Sequence, residues 1–285
     1  MKTLNDYKAA LEAYLEALPI SGAPDILRQA MRYSLLAGGK RLRGCLLLAA
    51  ADMAGEGGES ALPFAAALEM IHAYSLIHDD LPAMDNDTLR RGKPTSHVVY
   101  GEAVAILAGD ALLTHAFETM LKSDHPRALP AILEIAAAAG VGGMLAGQTL
   151  DVTNEGETPN KELVLRIHEG KTAALLTAPV TAGLILGGAD NGLVRAGRAY
   201  GYHLGLAFQI VDDLLDLKGD PALMGKTLGK DLEEKKLTWP ACVGESQARR
   251  DAETHIRAAA DAFAPYGDRA LFFRDLAFST LNRTH

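Results

Sequence analysis

The sequence predicts an all-α protein, and three observations carry that prediction. Apolar residues recur at spacings of three and four over long stretches. No run of alternating β-branched residues and no short hairpin turn interrupts them. Proline and glycine fall between the stretches, where helices stop. Roughly ten or more helices account for the chain, arranged as one domain over residues 1–285, because no shift in composition marks a linker. No internal repeat at solenoid period is present either.

Bulk chemistry narrows the function. Of the 285 residues 48% are hydrophobic and 22% charged, which supports a sizeable core and excludes a disordered chain. The formal net charge of −8 excludes a nucleic-acid binder that works through its overall field, so an anionic substrate must meet a local set of basic residues. Two cysteines, Cys45 and Cys242, lack metal-ligand spacing and suggest no disulfide framework, so a reducing, cytoplasmic setting is expected. The polar start Met1–Asp6 has no signal-peptide core. The longest apolar stretches, around Ala131–Gly147 and Thr172–Gly188, are rich in alanine and glycine; they read as core helices, and no stable membrane insertion is expected.

Taken in order, Leu4, Tyr7, Leu11, Tyr14, Leu15 and Leu18 trace a first helix ended by Pro19, with Thr3 and Asp6 as a weak capping box. A second helix runs from Pro24 to Leu36. The basic turn Gly38-Gly39-Lys40-Arg41-Leu42-Arg43-Gly44 then opens the apolar helix Cys45–Met53. Free N–H groups and the helix dipole make such a start an anion site, although a solvated basic turn has the same sequence. The helix from Pro63 places Glu69, His72 and Asp79 on one side, which reads His72 as a ligand contact rather than a core histidine.

This helix runs into the acidic stretch His78-Asp79-Asp80-Leu81-Pro82-Ala83-Met84-Asp85-Asn86-Asp87, followed by Arg90-Arg91 and the loop Gly92-Lys93-Pro94. Glu102–Leu121 is helical, and Ile132–Leu145 reads as a small-residue helix closed by Gln148 and Asp151. Lys161–Leu186 reads as one long helix, interrupted on its apolar face by Lys171-Thr172 and kinked near Pro179. Asn191–Leu217 follows, with Gln209, Asp212, Asp213 and Asp216 on one face. Beyond it lie a charged, glycine-containing segment with Gly225-Lys226-Thr227, Trp239-Pro240 returning to the core, and closing helices at Ala248–Phe263 and Asp268–Leu281.

Two acidic clusters among apolar helices need a cation. Magnesium takes oxygen ligands, keeps waters, and binds through a few carboxylates plus substrate phosphates. There is no pair of Glu-x-x-His motifs, since Glu69-Met70-Ile71-His72 stands alone, and no His-x-x-x-His, which disfavours di-iron and zinc-protease sites. Arg90, Arg91, Lys40, Arg43, Lys171, Lys226 and Lys236 each read singly as a solvated cation; together they match the oxygens of two diphosphates, one held through metal and one by cations alone.

Asp79-Asp80-x-x-x-x-Asp85 with Arg90-Arg91, and Asp212-Asp213-x-x-Asp216 after Phe208-Gln209, resemble the two aspartate-rich motifs of trans-isoprenyl diphosphate synthases. Gly38-Gly39-Lys40-Arg41-x-Arg43, Gly170-Lys171-Thr172 and Gly225-Lys226 match the same pattern, and the similarity covers about residues 30–240. The inserted Pro82-Ala83 resembles the bacterial farnesyl and plant geranylgeranyl types. Gly44 departs from the proline often found there, which puts the stiffness of the basic turn in question, and Lys235 stands where glycine is common.

The resemblance implies a helical bundle around a central cavity and a prenyltransferase that condenses isopentenyl diphosphate with dimethylallyl or geranyl diphosphate. It implies Mg²⁺, three ions with diphosphate bound, held by Asp79, Asp80, Asp85, Asp212 and Asp216. Arg90, Lys171, Lys226 and Lys236 would neutralise the departing diphosphate, and Thr172 and Gln209 would face the carbocation. Lys40, Arg43, His72 and Arg91 would hold isopentenyl diphosphate. A homodimer is implied by analogy.

Tyr74 precedes Asp79 by roughly 7.5 Å of helix, so its ring reads either as a core aromatic or as a floor under the growing tail, with the smaller Ser75 beside it leaving the path open. As a floor it implies the farnesyl-forming type, with geranylgeranyl or geranyl formation as the alternative. A class I terpene cyclase is disfavoured by the aspartates of the second cluster and by Lys40/Arg43. A non-catalytic synthase subunit is disfavoured because both acidic motifs are intact.

Overall fold

The computed structural model describes residues 2–55, 58–218 and 236–281. α1 (Leu4–Ala17) opens on a complete capping box: the Asp6 N–H donates to Thr3 Oγ1 at 3.3 Å and the Thr3 N–H to Asp6 Oδ2 at 2.7 Å. α2 (Asp25–Leu35) starts just after Pro24, which stands at the cap. α3 (Leu42–Ala54) and α4 (Leu62–Asp79) pack on each other.

A miniature hairpin follows, which no periodic signal announced. β1 (Leu89–Arg90) pairs antiparallel with β2 (Lys93–Pro94). Two residues are too few to alternate visibly. Its turn residues, Arg91 and Gly92, both take positive φ (54° and 73°), the geometry of a primed hairpin turn. α5 (Ser96–Tyr100) leads into α6 (Glu102–Leu121), which lies along α4.

The helix expected over Ile132–Leu145 is two helices, α7 (Ala128–Ala139) and α8 (Met144–Thr153). Glycines at 140, 142 and 143 break it, because glycine loses more backbone freedom in a helix than any other residue. α9 (Lys161–His168) passes without a gap through a π-helical turn (Glu169–Ala173) into α10 (Ala174–Leu186). The irregularity therefore falls at Lys171-Thr172, while Pro179 sits inside α10. Wide turns of this kind re-aim side chains and cluster at functional sites.

α11 (Asn191–Lys218) carries the second acidic cluster. α12 (Trp239–Val243), α13 (Glu245–Ala262), a 3₁₀ segment (Ala264–Ala270) and α14 (Leu271–Leu281) close the bundle.

α10 is buried almost all round and packs on α3, α7 and α11, as a helix apolar on every face must. Gly183 permits this approach: a Cβ there would stand 2.3 Å from Leu47 O. Tyr200 stacks on Phe263 at 5.0 Å and donates its hydroxyl to Phe273 O at 2.8 Å, tying α11 to the last helices. Aromatic pairs of this kind add roughly 0.5–1.5 kcal/mol beyond burial.

Candidate active site

The first acidic stretch is a helix end folded back on itself. α4 stops at Asp79, and the Asp85 N–H donates to Asp79 O at 2.8 Å, so the two carboxylates share one corner. The exposed Pro82-Ala83 form the tip of that loop. Burial raises the Asp79 carboxyl, Lys171 lowers it, and Asp85 raises it further. Lys236 Nζ reaches Asp85 Oδ1 at 2.9 Å, and Gln148 Nε2 donates to Asp79 Oδ1.

Asp80 turns the other way. It is only 3% exposed, and Arg90 holds its Oδ1 through Nε at 2.7 Å and Nη2 at 2.5 Å, with Asp87 at 3.7 Å from the same guanidinium. Burial pushes the Asp80 carboxyl up to about 6 against the pull of Arg90. Burial lowers Arg90, but Asp80, Asp79 and Asp87 outweigh it and the guanidinium is held above its ordinary value. The hairpin turn thus delivers Arg90 to Asp80 and projects Arg91 towards the basic turn.

On α11 the acidic residues divide by role. Asp213 is buried and accepts from Gln209 Nε2 at 3.0 Å and the Trp239 N–H at 2.8 Å, with His168 Nε2 at 3.3 Å. It pins the start of α12 to α11. Asp216 instead keeps Oδ2 buried without a hydrogen-bond partner. Asp213, Asp216, Lys236 and Thr238 line a cavity of about 530 Å³. Thr172 Oγ1 donates to Gln209 Oε1 at 2.5 Å, which orients that amide between the π turn and Asp213.

Lys171 Nζ lies 2.6 Å from Asp151 Oδ2. Burial pulls the ammonium down, yet Asp79 and Asp151 raise it further, so it remains a cation. Backbone contact makes this reach possible. A Cβ on Gly147 would stand 2.0 Å from Lys171 N, and one on Gly170 2.7 Å from Gly147 N, so α8 and the π turn touch main chain to main chain.

A separate basic set gathers around His72. Burial first, then Arg43, Arg91, Arg90 and Arg41, hold its imidazole well below 6.5. Arg91 donates from Nη1 to Gly38 O and packs its guanidinium over Gly39, where a Cβ would stand 2.7 Å from Arg91 Cζ. Burial also lowers Arg43, whose charge feels Glu69, Asp212 and Arg91, so this side chain lies between the basic set and the second acidic cluster. Lys40 is exposed at the rim. Lys226 lies outside the described residues.

Arg41 belongs to the scaffold instead. It is buried, takes φ 52°, and pairs with Glu69 and Glu12 at 3.6 Å each. Tyr74 is 4% exposed with its hydroxyl buried and unpartnered, and its ring meets His78 edge-on at 5.8 Å. Ser75 Oγ donates to His72 O at 2.9 Å.

Sequence reading assigned no role to Gln148, Asp151 or His168. The first two sit three residues apart on α8 and so share its face towards Asp79 and Lys171, a signal present in the sequence. His168 next to Trp239 gives no such signal, because the two meet only in three dimensions.

The residues present suit a hard cation. Asp79, Asp85, Asp212 and Asp216 would supply oxygen ligands, one of them an orphaned buried oxygen, and Asp85 raises the Asp79 carboxyl, although among the described residues no three such groups converge on one point without an ion to draw them together.

A helical bundle with two acidic clusters, two cationic sets and an apolar interior has the chemistry of an enzyme whose substrates join a diphosphate to a hydrocarbon. The family model described as polyprenyl synthetase matches residues 24–263, and the chain belongs to that family. It is a prenyltransferase. It is 47% identical over 265 residues to farnesyl diphosphate synthase of Geobacillus stearothermophilus, covering 90% of this chain and 88% of that one. It is 41% identical to geranylgeranyl diphosphate synthase of Cyanophora paradoxa, covering 99% and 96%. Among solved structures, the Helicobacter pylori geranyltransferase complexed with magnesium and isoprenyl diphosphate superposes with a TM-score of 0.87 at 32% identity, covering 98% of this chain and 95% of that one.

Proposed function

We propose that this enzyme condenses isopentenyl diphosphate with dimethylallyl diphosphate and then with geranyl diphosphate, releasing farnesyl diphosphate. The observation that carries the reading is the separation of cations into two sets: Lys171 and Lys236 face the acidic corner of Asp79 and Asp85, while Arg43 and Arg91 surround His72. Two diphosphates need two such sets, whereas a cyclase needs one.

Asp79 and Asp85 from one side, and Asp212 and Asp216 from the other, would hold Mg²⁺, with three ions when diphosphate is bound. Mg²⁺ supplies charge neutralisation of the departing diphosphate. Asp80, through its grip on Arg90, sets the far edge of this corner. Lys171, Lys236 and Arg90, with Lys226, bind diphosphate oxygens as the C–O bond breaks and its electron pair leaves with the diphosphate. Thr172, whose hydroxyl donates its hydrogen bond to Gln209 Oε1, presents its oxygen lone pairs to the allylic cation. Arg43, Arg91, Lys40 and His72 hold isopentenyl diphosphate so that its alkene attacks. The released diphosphate takes the proton lost in forming the new double bond. Water must be kept out, and the apolar walls of α4 and α10 do this.

Product length rests on Tyr74, whose buried ring stands upstream of Asp79 along α4. Isopentenyl diphosphate, each allylic primer and Mg²⁺, with products separated by chain length, test the reading. A fifteen-carbon product supports it, a twenty-carbon product assigns a geranylgeranyl synthase, and hydrocarbon from the allylic substrate alone assigns a cyclase.

The working unit is a homodimer through α6–α8. Two stretches there, Glu102–Leu121 and Ala128–Thr153, are long and apolar enough to cross a membrane. Their outward Leu107, Leu129 and Leu133 are 58–64% exposed, a face suited to a second copy. Sedimentation velocity tests this, and a monomer at micromolar concentration would oppose it. We place the enzyme in the cytoplasm, consistent with free thiols at Cys45 and Cys242.

A further inference from the structure

We infer that Glu69 is a positioning residue for the isopentenyl diphosphate pocket, acting as a cap that α4 supplies to α3. The inference rests on the reading of Arg43, His72 and Arg91 as that pocket.

Three features of the basic turn make an outside anchor necessary. Gly38, Gly39 and Arg41 all take positive φ (83°, 117° and 52°), so the approach to α3 has little intrinsic stiffness. A left-handed Arg41 is strained, because its Cβ crowds the following carbonyl oxygen. Arg41 is also the N-cap of α3, and its side chain makes no capping hydrogen bond. An arginine has no acceptor, so it cannot do for the first-turn N–H groups what serine or aspartate does.

Glu69 does it from the neighbouring helix. Its Oε1 accepts the Gly44 N–H at 3.0 Å, and the residue is 3% exposed. The negative charge sits at a helix N-terminus, where the dipole favours it. The peptide unit so held is the one joining Arg43 to Gly44, and therefore fixes the plane on which Arg43 is mounted. Glu69 Oε2 also stands 3.6 Å from Arg41 Nη1, neutralising the buried guanidinium that shapes the turn.

The contact requires a backbone N–H at this position, and glycine also lets α3 and α4 lie close. A Cβ on Gly44 would stand 2.3 Å from Leu11 Cδ2 and 3.4 Å from Glu69 Cγ, and proline would have no N–H to give. The turn is thus tied down through the atom that a proline would lack. One consequence is that the Gly44 N–H serves Glu69, so the anion affinity of this turn belongs to its side chains more than to that amide.

Glu69 lies three residues before His72 on α4, about one turn away. A single helix face therefore supplies both a wall of the pocket and the clamp on the segment that brings Arg43. A carboxylate this buried that served stability alone would move both substrates together when altered; one that sets Arg43 would move only the one Arg43 binds.

Steady-state kinetics on the full-length enzyme test this. In Glu69→Ala we expect the KM for isopentenyl diphosphate to rise at least tenfold and the KM for the allylic diphosphate to stay within twofold. Glu69→Gln, which keeps an oxygen for the Gly44 N–H, should raise the first KM only about threefold. An unchanged KM for isopentenyl diphosphate, or equal rises for both substrates, overturns the inference. Should Glu69→Ala fail to fold, the same criterion is applied to Glu69→Gln. Arg43→Ala separates the two levels. If it leaves that KM unchanged, the pocket reading fails; if it raises it while the Glu69 variants do not, only the role of Glu69 fails.

Discussion

Lys171 Nζ and Asp151 Oδ2 stand 2.6 Å apart, joining the π turn to α8 beside the acidic corner of Asp79. Asp79 first, and then this contact, keep Lys171 charged in a site whose burial penalises charge.

Removing that carboxylate should therefore weaken catalysis without removing any group that touches substrate. Asp151→Asn is expected to lower kcat by about 10–100-fold, the usual effect of losing an outer partner in a metal site. The loss should persist at saturating Mg²⁺ and substrate, with the helical circular dichroism unchanged. A kcat within twofold of the parent would show that Lys171 is positioned by other contacts.

Asp216 gives a prediction of the opposite kind. Its buried Oδ2 has no hydrogen-bond partner, which costs stability in the metal-free chain. Asp216→Ala should leave metal-free thermal stability unchanged or raised. The Mg²⁺ concentration for half-maximal activity should rise at least tenfold, and the gain in Tm on adding Mg²⁺ with diphosphate should shrink. A parent-like Mg²⁺ response would remove Asp216 from the ligand set.

The helices and both acidic clusters were legible because they are local: Asp212 and Asp216 share a face by period alone, and Glu102–Leu121 shows its bounds through apolar spacing. What escaped depends on distance in sequence. Asp213 looks like its neighbours, yet its partners His168 and Trp239 come from other elements. Arg41 looks like part of the anion site, yet Glu12 and Glu69 draw it into the scaffold. The break at Gly140–Gly143 lay in a stretch whose apolar period continued; Lys171-Thr172 marked an interruption, but that it takes the form of a π turn at Glu169–Ala173 depends on the backbone approach through Gly147. Pro179, where a kink was expected, sits inside α10, and the change of hydrogen-bond pattern to a π turn falls at Glu169–Ala173, around Lys171.

Tyr74 separates ring from hydroxyl. Its oxygen is buried without a partner, so the proposed role as a floor rests on the ring. Tyr74→Phe should keep both the product length and the stability, the latter within about 1 kcal/mol. Tyr74→Ala should open the path along α4 and shift products beyond fifteen carbons. An unchanged product spectrum in Tyr74→Ala, read by chromatography, removes Tyr74 as the floor.

His72 predicts a proton that moves with substrate. Burial and the surrounding Arg43, Arg91, Arg90 and Arg41 hold the imidazole well below 6.5. At pH 6 the folded enzyme carries it neutral, whereas an unfolded chain binds a proton there. His72 thus costs stability as pH falls below 6.5, because the unfolded state takes up the extra proton. A diphosphate lying among the same arginines reverses the field at the ring, since an anion favours the imidazolium. Isopentenyl diphosphate binding near pH 6 should therefore draw a proton onto His72. Calorimetry in buffers of different ionisation enthalpy reads this uptake, and the diphosphate's own titration is removed by subtracting the result for His72→Gln. The difference should be a positive uptake that approaches zero by pH 8, where the bound imidazole also remains neutral. No difference between parent and variant at pH 6 would mean that the diphosphate lies elsewhere, and Arg43 and Arg91 would then need another role.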